Sequence, residues 1–79
     1  MIRSLLPEVR NPILKLPAAQ KFAGLPVEVR AITRDVLLEL SRDCTARAQH
    51  AWRTHKAPMA LYWKFTAVIA RHTARCIPL

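Results

Sequence analysis

A single glycine, Gly24, stands among the 79 residues of this chain. That scarcity argues against a turn-rich β fold and leaves no glycine-rich loop to cradle phosphate. Carboxylates are nearly as sparse. The five acids are Glu8, Glu28, Asp35, Glu39 and Asp43, and none follows Asp43. Two cysteines are too few for a disulfide scaffold. No uninterrupted apolar run is long enough for a membrane span, because Lys64, Arg71, His72 and Arg75 break the stretch from Met59 to Ile77. Pro7 and Glu8 interrupt the opening residues before a signal-peptide core can form, so the expected compartment is the cytoplasm.

What remains is apolar and basic: 52% hydrophobic residues with a formal net charge of +8. A chain of this composition and length reads as one small all-α unit. So short a chain needs idealised packing, a staple or a partner subunit to be stable. The prolines punctuate it. Pro7, Pro12, Pro17 and Pro26 leave no room for a long helix over residues 1–25. That part is expected to be an irregular apolar segment of extended or single-turn structure. Its Leu5, Leu6, Val9, Ile13, Leu14, Leu16, Phe22 and Leu25 could lie across a helical surface. Residues 26–79 form the second unit, a helical hairpin with one helix at about 26–55 and another at about 58–76.

Pro26 opens the first helix at a position proline favours, and Glu28 sits near its positive end. Leu25, Val29, Ile32, Val36 and Leu40 recur at helical spacing, and Cys44, Ala48, Ala51, Trp52 and His55 continue the series. Steps of four residues overshoot one turn by about 40°, so this stripe winds around the helix and one straight partner cannot cover it. Pro58 then breaks the helix, because it lacks a backbone donor and disfavours helical geometry in the residue before it. No glycine cap precedes it, so a single kinked rod competes with the hairpin. Lys56 and His55 favour a helix end. More than half the circumference of the second helix is apolar, and one neighbour cannot cover it. The expected solution is a homodimer in a four-helix arrangement, with Val36, Leu40, Cys44, Phe65, Ile69 and Ile77 as core or dimer residues.

From Cys44 onward there are six Lys or Arg, three His and no acid. An antiparallel hairpin centred near residue 57 would set Asp43 level with Arg71 and Glu39 level with Arg75, neutralising part of this charge within the fold. The uncancelled cations Arg47, Arg53, Lys56 and Lys64 mix with Trp52, Tyr62 and Trp63 near the bend. Arginine and aromatic residues are enriched in binding hot spots. The candidate partner site is therefore Trp52, Arg53, Lys56, Tyr62, Trp63 and Lys64, steering toward an acidic patch. The competing reading is that Trp52 and Tyr62 cap the core.

Other chemistries find less support. His72 and Cys76 share a helical face at i, i+4, but a zinc site needs three or four ligands and Cys44 sits on the wrong level. Two cysteines so offset along the hairpin cannot form an intrachain disulfide. No metal or cofactor is implied, and with no oxyanion hole or pocket-forming loop the chain is not expected to be an enzyme. A helix-turn-helix reader is disfavoured by the length of the first helix and by the absence of Asn, Gln and Ser from the second. Phosphate contact through the basic half stays open, so nucleic-acid binding is the alternative function. Attachment to an anionic membrane surface is weaker, since the same apolar face serves a dimer core.

Around the bend, Trp52 and the run Lys56-Ala57-Pro58-Met59-Ala60-Leu61-Tyr62-Trp63-Lys64 resemble the small phage and prophage helical-hairpin proteins that subvert bacterial host regulators, the quorum-sensing anti-activators among them. The resemblance spans at most residues 26–77 and leaves the first 25 residues without a counterpart. It implies a homodimer of hairpins that inhibits a bacterial host protein, such as a LuxR-type transcription regulator.

Overall fold

Each of the first prolines starts a turn. A computed structural model describes residues 7–79, in which Pro7–Arg10 forms a single α-turn (α1), Pro12–Lys15 a 3-10 turn (η1) and Pro17–Gly24 a longer 3-10 stretch (η2). Proline's fixed φ suits a first helical position, and the next proline stops each turn before it can extend. Two long helices follow, α2 at Val27–Arg53 and α3 at Ala57–Arg75. Among the described residues there is no strand. The all-α hairpin expected from the proline pattern is thus what the chain forms, with both helices within a few residues of their expected limits. Leu5 and Leu6 lie outside the described residues.

The turn at the bend explains how the helix ends without glycine. The His55 amide donates to the Trp52 carbonyl at 3.2 Å, and the Lys56 amide to the Ala51 carbonyl at 2.8 Å. This pair of bonds is the Schellman arrangement, which needs a left-handed residue. His55 supplies it at φ 60°. The chain reverses there, and a kinked rod is excluded.

The helices are joined by their smallest residues. Ser41, Cys44, Ala48 and Ala51 are the buried residues of α2; Ala60, Ala67, Ala70 and Ala74 are those of α3. Small side chains let helix axes approach closely. The Ser41 hydroxyl donates across the seam to the Ala67 carbonyl at 2.8 Å. At the open end the Arg30 guanidinium donates to the Pro78 carbonyl at 3.2 Å. Both pairs mirror about Thr54, three residues before the centre assumed from sequence. Each level on α3 therefore shifts by six residues, about 9 Å at the helical rise. Asp43 stands level with Phe65 and Glu39 with Ile69, so the expected pairs with Arg71 and Arg75 do not form.

The bulky apolar residues lie off this seam. Val29, Ile32, Val36 and Leu40 of α2, and Met59, Tyr62, Phe65 and Ile69 of α3, are all exposed in the single chain. The helical periodicity of these residues was real, but it marks an outer surface. The seam instead follows the alanines that flank the basic residues of α3.

The N-terminal turns do not cover that surface. They pack mainly on one another. The Asn11 amide donates to the His72 carbonyl at 2.8 Å and to Cys76 Sγ at 3.7 Å, tying the segment to the end of α3. Asn11 and Ala19 are buried, Ile13, Leu14 and Phe22 are half-buried, and Val9 and Leu16 face outward.

Candidate functional site

The six residues proposed around the bend do not form one surface. Trp52, Arg53 and Lys56 are exposed where α2 ends, and Tyr62 and Lys64 are exposed on the first turns of α3, with Trp63 half-buried. Tyr62 and Trp63 meet edge to face, with ring centroids 5.0 Å apart and planes at 75°. At about 100° per residue, Tyr62 and Lys64 point about 160° apart around α3. Lys64 turns toward Trp52, and Tyr62 turns away. At 51% and 57% exposed, neither Trp52 nor Tyr62 caps a core in the single chain.

Trp52 and Lys64 belong to a furrow along one side of the α2–α3 seam. One hollow of about 320 Å³ is lined by Leu38, Ser41, Arg42, Thr45 and Arg71. A second, of about 400 Å³, shares Thr45 and Arg71 and adds Gln49, Trp52, Lys64 and Val68 above Ala48 and Ala67. The shared residues place the two hollows end to end along the seam. From Leu38 to Trp52 the furrow follows α2 for about 21 Å. Its floor is apolar and its rims carry Arg42 on one side and Lys64 and Arg71 on the other. Among the described residues no carboxylate lines either hollow.

The acids stand elsewhere. Glu28, Asp35, Glu39 and Asp43 are all exposed. On the wheel of α2 they fall in one sector facing away from the buried Cys44 and Ala48. Asp43 borders a separate hollow with Ala46, Arg47 and His50. Arg71, by contrast, shares its hollow with Arg42, a like charge. The furrow is thus lined by three cations, whereas the four acids of α2 share an outer sector of that helix.

Arg42, Thr45 and Gln49 were not singled out from sequence, and Arg71 was assigned to a pair with Asp43, although their spacing carried a signal. Leu38, Arg42, Thr45, Gln49 and Trp52 recur at steps of four, three, four and three, as do Lys64, Val68, Arg71 and Arg75 on α3. Of the residues assigned to core or dimer face, Cys44 and Ile77 are buried, whereas Val36, Leu40, Phe65 and Ile69 face outward.

The cysteines are both free and buried. With the hairpin centred at Thr54, Cys44 lies opposite Lys64, about 18 Å along the axis from Cys76. That separation rules out a disulfide between them. Cys76 donates to the His72 carbonyl at 3.2 Å. Burial pushes its thiol pKa up, and the hydrogen bond from Asn11 partly offsets this. Among the described residues no group of three His, Cys, Asp or Glu could hold a metal ion. No helix is long and apolar enough to cross a membrane, again among the described residues. No protein-family model, curated protein or solved structure matches the chain.

Proposed function

We propose that this chain is a small homodimeric protein-binding module that acts by occupying a partner's surface and not by catalysis. The observation that supports this reading is the outward placement of its bulky apolar residues. Val36, Leu40, Phe65 and Ile69 are 58%, 44%, 64% and 57% exposed in the single chain. Large apolar side chains gathered in this way mark an interaction surface. A second copy laid on the face of Val36, Leu40, Phe65 and Ile69 would cover these residues and complete a four-helix arrangement.

The resemblance to phage and prophage host-regulator inhibitors adds the direction of the activity: binding to a bacterial regulator, of LuxR type, in the host cytoplasm. The positive furrow and the exposed Trp52 are consistent with an acidic partner surface. Light scattering tests the assembly, with a dimer expected at micromolar concentration and a monomer refuting it. Capture from a lysate of the native host, followed by mass spectrometry, tests the partner class. A transcription regulator is the expected catch. If changing Trp63 and Lys64 together to Ala leaves that capture intact, the bend is not the contact.

A further inference from the structure

We infer that the furrow between α2 and α3 is a docking groove for an acidic amphipathic helix of the partner protein. This rests on the protein-binding reading above and names its site, which is one flank of the hairpin and not the tip of the bend.

The seam between two antiparallel helices is the natural seat of a third, since its floor offers a strip of apolar contact parallel to both axes. Here the floor is Leu38, Ala48, Ala67 and Val68. At about 21 Å it accommodates about 14 residues of helix, or four turns. The occupant's apolar stripe would face that floor. Its carboxylates would flank the stripe on both edges, because cations stand on both rims: Arg42 on α2, Lys64 and Arg71 on α3. Arginine offers a carboxylate two parallel donors, which gives such a rim directional as well as electrostatic selectivity. Thr45 and Gln49 add neutral hydrogen-bonding groups between the charges. Trp52, half exposed at the bend end, gives the occupant's last turn an aromatic anchor.

Charge complementarity selects this occupant over others. A basic helix would meet three cations and no carboxylate. A nucleic-acid strand stacks its successive bases on several aromatic platforms, and this furrow has Trp52 alone. The acids of α2, Glu28, Asp35, Glu39 and Asp43, sit on the sector beyond the Arg42 rim and line neither hollow.

The test uses the full chain and three fluorescent probes in anisotropy titrations. One is a 15-residue helical peptide with a leucine stripe flanked by glutamates. The second is the same peptide with lysines for glutamates, and the third is a 15-nucleotide oligothymidylate. The acidic peptide is expected to bind at least tenfold tighter than the lysine peptide. Arg42→Glu with Arg71→Glu should weaken it at least tenfold, whereas Arg53→Glu with Lys56→Glu at the bend should change it less than threefold. Circular dichroism confirms that the variants fold, and Lys64→Glu alone serves if the double variant does not. Equal binding of the two peptides, indifference to furrow reversal or binding of the oligothymidylate alone would each overturn the assignment. Loss of self-association in the furrow variant without any peptide binding would instead give the groove to a second copy, and would equally overturn it. These readouts are independent of light scattering and host capture on the unaltered protein, so failure of the groove and failure of the protein-binding reading are distinguishable.

Discussion

The two faces of α3 carry opposite kinds of apolar residue, and the hairpin uses the less hydrophobic one. Inward are Ala60, Ala67, Ala70 and Ala74; outward are Tyr62, Phe65 and Ile69. A contact made of methyl groups buries little area per residue, so it gains by closeness what it lacks in size. The bulky face holds most of the transferable apolar surface of the helix and leaves it in water. The inner face closes the hairpin, and the outer face stays open in the single chain, where the proposed dimer would use it.

The outer face gives the largest expected effect. Phe65→Ala should cost the assembled protein about 3–5 kcal/mol, as for an aromatic residue in a core, and change the isolated monomer by less than about 0.5 kcal/mol. Sedimentation equilibrium alongside thermal melts at two concentrations separates the two; equal small losses at both would leave Phe65 a plain surface residue. On the inner face, Ala60 is fully buried at 0% exposure, and Ala60→Leu should destabilise by about 1–3 kcal/mol through overpacking. Urea melts read this directly, and a stabilised variant would mean the seam is loose. Ser41→Ala should cost about 0.5–1 kcal/mol, the lost hydrogen bond less the better helix propensity of alanine.

At the bend, His55→Gly should raise stability by about 0.5–1 kcal/mol, since the left-handed conformation is strained for any residue with a Cβ. No gain in the melting temperature would show that the imidazole makes a compensating contact. The smallest effect concerns Cys76. Its raised pKa means the folded state keeps its thiol proton at pH values where the unfolded chain has lost it. Stability from this source is fully present below the unfolded thiol pKa and falls as pH rises through the folded one. Denaturant midpoints measured from neutral to alkaline pH should decline less steeply in Cys76→Ala.

The limits of α2 and α3 were legible because proline reports its own backbone requirements at Pro26 and Pro58. The register was not. It depends on a left-handed residue that sequence logic assigns to glycine, and His55 took that role without any compositional sign. Displacing the centre from residue 57 to Thr54 was enough to undo two apparent ion pairs. The choice of seam was hidden for a different reason. Alanine and phenylalanine stripes share one period, and hydropathy ranks the larger first, whereas close approach of two helices favours the smaller. The same choice hid the furrow, since only the correct seam brings Arg42 and Arg71 to one hollow. Trp52 and Lys64 were found as residues, but grouped with Tyr62, which the helix turns the other way.

The alanine seam has one more consequence. Two nearly smooth cylinders in contact resist separation better than they resist sliding, because a shift of one turn, about 5.4 Å, sets methyl groups against methyl groups again. Something must index the slide. Besides the turn at His55, the Ser41 hydroxyl on the Ala67 carbonyl and the Arg30 guanidinium on the Pro78 carbonyl are marks that a shifted hairpin would lose. They act as the notches of a vernier. Because the furrow draws its rims from both helices, the same two hydrogen bonds set the distance between its charges.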